Sequence, residues 1–521
     1  MKPLFPSLVP WRNAAAFARP YSQTVAVAVE DAKPASVKPK PFSQVPRVPS
    51  LPLVGSSWMY WRLVGKYHPD RRHLAAVDMH RKYGPVVAER LPGRYSLVHL
   101  FSADDFRTLY QEEGKMPFRM GATAFKKYRE SRPQYYANIG ILNLQGQEWY
   151  NVRSKTQPYT LRPRTIMSYV PGMDLIAEDA LQLIHKTRDD KKEVDDCYTI
   201  LYRWALESVM LASADTRIGC LADPLLPASD GAAFLQDMND VFGCLQIFGY
   251  RFPYFRYFRT PTWRKFEKSM DAFTLRLFKH IQEAANRLQT RHSDEEYTIL
   301  EHLLVEKKLG FGEILSFMSD FIMGGADTTS SSATFCVYNL AKNPEAQERA
   351  RQEVLSVVGE NCRAVEPQHL NNLPYVKACL KESLRLNPVL SGVFRKLDHD
   401  VVMSGYTIPA GTPVFTENYV ASQLEENFTN AHSFLPERWL KSEEQRDDWT
   451  LHPYASLPFS FGPRMCLGRR MAELEVWILL VKLLSKYKIE YHYEDIGFVG
   501  KLANAPDKPA RLRFIELKPE C

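Results

Sequence analysis

The sequence predicts a mainly α-helical protein with a small β region, folded as a single large domain. Helical periodicity carries most of the argument. Residues 173–290 alternate helical patterns with breaks, and longer amphipathic patterns run over 311–342 and 471–487. The β contribution is small. Apolar residues alternate over residues 86–99 around Pro92-Gly93, the pattern of a hairpin. Gly405-Tyr406-Thr407-Ile408-Pro409-Ala410-Gly411-Thr412 reads as a turn inside a small sheet. Length alone, 521 residues, would suggest two or three domains, yet no Gly/Ser linker or compositional break divides the chain after residue 50. With 45% hydrophobic and 12% aromatic residues, one large core can be buried.

Composition excludes several function classes. A net charge of +7 is modest and is not gathered into the block a nucleic-acid binder shows. Eight cysteines, at 197, 220, 244, 336, 362, 379, 466 and 521, form no CxxC pair and suggest neither a zinc site nor a disulfide framework, which fits a reducing compartment. No apolar run approaches the ~18 residues that a membrane-spanning helix requires.

In chain order, residues 1–29 hold Lys2, Arg12 and Arg19 with no acidic residue before Glu30, the composition of a mitochondrial transit peptide. The mature chain is expected to begin near residues 21–29. Residues 30–50 are rich in Pro, Lys and Ser and read as an extended linker, which leaves 51–521 as the folded domain. Residue 146 opens a helical pattern in which Trp149 and Arg153 share a face. Residues 247–259 interleave aromatics with arginines (Tyr250-Arg251-Phe252, Phe255-Arg256-Tyr257-Phe258-Arg259) and read as membrane contact or as ordinary core and rim.

The 311–342 pattern stops ahead of Asn343-Pro344, as helices tend to do, and would run ~45 Å. In its middle lies Gly324-Gly325-Ala326-Asp327-Thr328-Thr329. Two glycines and two β-branched threonines are poor helix formers, and they make sense if the helix opens locally in a π-type widening.

The chain turns on Phe459-Ser460-Phe461-Gly462-Pro463-Arg464-Met465-Cys466-Leu467-Gly468. One cysteine sits between two glycines that permit close backbone approach to a flat ligand. Backbone N–H groups and the start of the following helix are expected to favour its thiolate. A lone thiolate with no second Cys or His nearby suits an iron that takes its other ligands from a porphyrin.

Phe459, Gly462, Arg464, Cys466 and Gly468 resemble the FxxGxRxCxG loop of the cytochrome P-450 haem-thiolate monooxygenases. Gly324 to Thr329 is similar to that family's (A/G)Gx(D/E)TT, Glu382-Ser383-Leu384-Arg385 to its ExxR, and Pro436-Glu437-Arg438-Trp439 to its PERF/PERW segment. The resemblance covers residues 46–515 and is to animal mitochondrial members, arthropod-like at Tyr128-Arg129 and Arg153-Ser154-Lys155. It implies the cytochrome P-450 fold and haem b (iron protoporphyrin IX) with Cys466 as the axial ligand of its iron. Trp149, Arg153, Arg395, Phe459 and Arg464 would hold the haem, and Glu382, Arg385 and Arg438 would form a structural network. Thr328 would hydrogen-bond the oxygen being activated while Asp327 relays protons. Phe321, Ala326, Val393 and Leu502 are implied as substrate-pocket residues.

The same resemblance implies insertion of one oxygen atom into an apolar substrate, sterol- or ecdysteroid-type or xenobiotic. No GxGxxG follows a predicted strand, so a partner is expected to reduce the chain; the resemblance to mitochondrial members implies that electrons come from NADPH through ferredoxin reductase and an adrenodoxin-like ferredoxin. That carrier would dock on Lys377, Lys381, Arg469 and Arg470. Location on the matrix side of the mitochondrial inner membrane, in peripheral contact, is implied as well. Two other classes compete: a haem-binding sensor or carrier without turnover, which needs no Asp327–Thr328 pair, and a peroxide isomerase, which needs no reductant.

Overall fold

The computed structural model describes residues 38–61, 65–92, 96–250, 253–290, 296–359, 364–440, 449–501 and 503–517. The transit-peptide reading of residues 1–29 and the pocket assignment of Leu502 fall outside them. Helices form the bulk of the molecule, and the elements that position the site are labelled here in chain order. Helices α1 (Gly146–Thr160), α2 (Cys197–Ala214), α3 (Phe311–Lys342), α4 (Pro374–Leu386) and α5 (Arg469–Lys486) are flanked by one four-stranded sheet and smaller ones.

Helix α3 is the axis of the molecule. The Glu313 side chain reaches back to the Gly310 N–H at 2.8 Å and caps its start, and Asn343-Pro344 ends it. Helix α2 packs along it. Gly325 permits that approach, because a side-chain carbon there would lie 2.6 Å from Val209 Cγ2. The expected π-type widening is absent, since α3 is continuous α-helix from residue 311 to 342. Within it, Thr328 donates to the Gly324 carbonyl at 2.6 Å, Ser330 to Asp327 at 3.0 Å and Ser332 to Thr328 at 2.7 Å, so these hydroxyls are satisfied inside the helix.

Strand β1 (Val86–Arg90) pairs antiparallel with β2 (Ser96–Leu100), Val86 opposite Leu100. Strand β4 (Pro413–Thr416) runs parallel to β2, and β3 (Phe394–Lys396) antiparallel to β4 with Arg395 opposite Val414. The sheet order is therefore β1-β2-β4-β3. Val86, Ala88, Val98, Leu100 and Val414 fill one face. The turn read at residues 405–412 belongs to a hairpin of Val401–Met403 with Tyr406–Ile408, and Ser404 and Gly405 take φ of 45° and 78° at its tip.

Two boundaries differ from the sequence reading. Residues 40–48, assigned to the linker, pack onto the fold: Val48 N–H donates to Ala88 O at 3.0 Å, Lys40 bridges Tyr406, and Val45 and Val48 are buried. Proline-rich composition signals extended backbone, and here that backbone lies along the sheet. In residues 247–259, Tyr254, Tyr257 and Phe258 are exposed, but Phe255 is 3% exposed and stacks on Trp263 at 5.2 Å. Phe255 is a core residue.

Candidate active site

The cysteine loop is held by its own backbone. Cys466 N–H donates to Phe459 O at 2.9 Å and Met465 N–H to Gly462 O at 3.0 Å. Gly462 takes φ of 76°, and a side-chain carbon there would lie 2.3 Å from Glu113 Oε1, so only glycine serves. Among the described cysteines Cys466 alone is exposed, the other five being buried. A carbon added at Gly468 would fill the space between Phe321 of α3, at 3.8 Å, and Cys466 Sγ, at 3.9 Å.

Surroundings act on that sulfur in opposite directions. The protein packed around it raises the thiol pKa, while the Gly468 N–H, Arg119, Arg153 and Arg469 favour the thiolate. A coordinating thiol would lose its proton to the metal outright. Among the described residues no group of three His, Cys, Asp or Glu is placed to hold a metal ion, so Cys466 stands as a single protein donor.

Guanidinium groups gather beside the loop. Arg464 lies over the Trp149 ring at 4.3 Å and donates to Leu144 O at 2.6 Å and Gln145 Oε1 at 3.1 Å, while its buried Nε has no partner. Burial pushes its pKa down to about 9, with Arg119, Arg395 and Arg153 adding to the effect. Arg153, on the Trp149 face of α1, donates to Gln157 Oε1 and Met465 O, both at 2.8 Å, and burial brings it to about 10. Arg395 on β3 donates to Glu113 Oε2 at 2.6 Å and Ser460 Oγ at 3.3 Å. Burial holds Glu113 above the usual carboxylate range even beside Arg395.

Arg119 was not legible in the sequence, where Met116-Pro117-Phe118-Arg119 carries no spacing signal. In the structure burial, then Arg395, pushes its pKa down, and Cys466 and Asp320 oppose the shift. Four guanidiniums share Glu113, bonded to Arg395, and Asp320, already paired with Arg129 at 2.7 Å, which leaves positive charge for further anions to offset. A flat group with two carboxylates and an iron open to one thiolate satisfies both this donor set and the single sulfur, and the residues fit haem.

Across the loop, on α3, burial raises the Asp327 carboxyl to about 6, against the pull of Lys501 and Tyr202. Thr328, half-buried, engages its hydroxyl with Gly324 as described. Val393 is half-buried, and its N–H donates to Thr416 Oγ1 at 3.1 Å. Ala326 is fully buried in the helical core. Two residues along a helix is a turn of about 200°, so Ala326 faces away from Gly324 and Thr328. Its assignment to the pocket is corrected on that ground.

Glu382 sits at the centre of a dry charge network. It accepts from Arg385 at 3.0 and 2.7 Å, from Arg438 at 2.9 Å, from Trp439 Nε1 at 2.9 Å and from the Leu435 N–H at 3.0 Å. All three charged side chains are fully buried. On the outer side, Lys377 lies over Trp477 at 4.8 Å and Lys381 over Trp439 at 5.9 Å, both half-buried. Arg469 lies over Phe459 at 5.7 Å and pairs with Glu473 at 3.0 Å, and Arg470 is exposed. Tyr150, Arg153, Gln157, Leu161, Arg162 and Pro463 line an open cleft of about 580 Å³ nearby.

Comparison with known proteins agrees with this geometry. The solved structure "Retinoic acid bound cyanobacterial CYP120A1" superposes with a TM-score of 0.72 at 20% identity, covering 92% of this chain and all of that one, which establishes the fold. "Probable cytochrome P450 301a1, mitochondrial" of Drosophila melanogaster is 31% identical over 482 residues, 91% of this chain and 87% of its own length. "Probable cytochrome P450 12a5, mitochondrial" of the same organism is 31% identical over 505 residues, 93% and 92% of the two chains. "1,25-dihydroxyvitamin D(3) 24-hydroxylase, mitochondrial" of Rattus norvegicus is 31% identical over 450 residues, 86% and 84%. The Cytochrome P450 family profile matches residues 46–501, and with that span the chain belongs to the cytochrome P450 family of haem-thiolate monooxygenases.

Proposed function

We propose that this monooxygenase hydroxylates an apolar, sterol-like or xenobiotic molecule in mitochondria, with electrons delivered from NADPH by ferredoxin reductase and an adrenodoxin-like ferredoxin. The observation that carries the reading is the pairing of one exposed sulfur, Cys466, with a carboxyl–hydroxyl pair, Asp327 and Thr328, on the central helix. Bound haem supplies the reduction of dioxygen, one atom going to substrate and the other leaving as water.

The chain's own residues do the rest. Cys466 would hold the iron by its thiolate. Arg119, Arg153, Arg395 and Arg464, with Trp149, would neutralise and orient the haem carboxylates through charge-assisted bonds. Phe459 packs under Arg469 at the loop. Asp327, raised to about 6, gains and loses a proton more readily near neutral pH than an ordinary carboxyl, and passes it on through Thr328, whose hydroxyl turns from the Gly324 carbonyl to do so. Phe321 and Val393 shape the apolar pocket. The Glu382–Arg385–Arg438 network retains the fold around the haem.

Lys377, Lys381 and Arg470 attract the acidic carrier. Arg469 contributes less because Glu473 offsets its charge. Mitochondrial relatives support the location. No described helix is long and apolar enough to cross a membrane, and the proposed contact with the inner membrane is peripheral.

The test is reconstitution with ferredoxin, its reductase and NADPH, after a spectral-shift screen of steroids against insecticide-like compounds. Lys377→Glu with Lys381→Glu is expected to weaken ferredoxin-driven turnover and to spare peroxide-driven turnover. Equal loss in both assays contradicts the docking assignment.

A further inference from the structure

Helices α2 and α3 enclose polar groups that the proposed reaction does not yet use. On α2, Tyr198 and Tyr202 stand one turn apart with ring centroids at 6.2 Å. On α3, Asp327 and Ser331 likewise stand one turn apart. The Tyr202 side chain, 8% exposed, makes no well-formed hydrogen bond through its hydroxyl, and neither does that of Ser331, 1% exposed. Buried hydroxyls left so are rare and call for a reason. These two belong to one cluster. Tyr202 and Asp327 act directly on one another's ionisation, and Tyr198 is coupled to Asp327, Ser331 and Ser330. Tyr198 is half-buried, so the cluster reaches from the surface to the carboxyl beside Thr328.

We propose that Tyr202 is the relay residue through which protons reach Asp327, with Tyr198 and Ser331 as the outer steps from solvent. This rests on the assignment of Asp327 and Thr328 made above. At each step a hydroxyl oxygen accepts a proton from the solvent side while releasing its own toward Asp327. No oxidation state changes, and each hydroxyl resets by rotation. Burial holds both tyrosines above their ordinary range, so they stay neutral and pass protons without storing charge. A bridging water can join polar groups that do not bond one another directly. Lys501, exposed on its turn, approaches the same carboxyl and marks the competing entry.

The experiment uses the full haem-loaded enzyme with ferredoxin, reductase and NADPH, without substrate. NADPH oxidised, dioxygen consumed and hydrogen peroxide released are measured in H2O and D2O. Tyr202→Phe should lower four-electron water formation by about tenfold in favour of peroxide and change the solvent isotope effect, with Lys501→Met near wild type. A second readout needs no turnover. In the resting ferric protein, the infrared band of the protonated Asp327 carboxyl, identified by its loss in Asp327→Asn, should shift in Tyr202→Phe.

Wild-type peroxide yield and an unshifted band in Tyr202→Phe, with Asp327→Asn impaired, overturn the route. So does an effect of Lys501→Met alone. A normal Asp327→Asn removes the underlying assignment as well. Should Tyr202→Phe fail to load haem, Ser331→Ala carries the same measurements, and wild-type values there overturn the proposal.

Discussion

At the scale of single residues, Asp327 is the most exacting. Burial lifts its carboxyl from an ordinary 3.8 to about 6. A raised carboxyl pKa means that stability is full below about pH 4 and is lost as pH rises through 6, where the folded protein must hold a charge the unfolded chain accepts readily. Asp327→Asn should therefore melt at the same temperature as wild type near pH 4 and higher at pH 7, measured calorimetrically. Coupled turnover of the same variant should fall by about a hundredfold. Residues of this kind were legible where spacing carries chemistry, as at Cys466, Glu382 and Asp327. Arg119, Glu113 and Tyr202 were not. Each acts through a partner far away in the chain, and nothing in its local sequence separates it from a surface arginine, glutamate or core tyrosine.

At the scale of elements, strands β1, β2 and β4 are tied by a buried trio. His99 Nδ1 meets Glu417 Oε1 at 2.7 Å and Nε2 meets Glu89 Oε2 at 2.9 Å, while Ser56 donates to Glu89 at 2.6 Å. Burial pulls the His99 pKa down, but the bonds to Glu417 and Glu89 outweigh it and hold it at about 9, above an ordinary 6.5. A raised histidine pKa gives stability that is complete below about pH 6.5 and lost as pH rises through 9. The melting temperature should accordingly decline through that window. His99→Gln should abolish the decline and cost about 3–5 kcal/mol at neutral pH, because it leaves carboxylates buried without their cation.

Helices were readable from their periodicity, the central one to its ends. Its interior was misread, because propensity says that Gly324, Gly325 and the threonines weaken a helix, whereas packing along helix α2, with Val209 against Gly325, keeps it regular. The hairpin of β1 and β2 was likewise visible in alternation. Pairing of β2 with β4, more than three hundred residues away in sequence, was not, since parallel partners share no turn signal.

For the whole molecule, Tyr254, Tyr257 and Phe258, exposed between the helices Asp230–Tyr250 and Pro261–Gln289, are where the proposed membrane contact would be made. Tyr257→Asp with Phe258→Asp should reduce flotation with liposomes and leave the melting temperature nearly unchanged. Phe255→Asp should do the reverse, destabilising the fold by burying a charge against Trp263. Unaltered flotation in the double variant would remove this surface from the account. One domain was expected and is found, and only its lower boundary lies earlier than composition suggested.

Everything turns on Cys466 as the single protein ligand of the iron. Freshly purified, haem-loaded protein, reduced and exposed to carbon monoxide, should give the long-wavelength absorption band of thiolate ligation, and Cys466→Ala should lose it. A short-wavelength band in the intact wild-type protein, or a thiolate band that survives Cys466→Ala, would contradict the assignment.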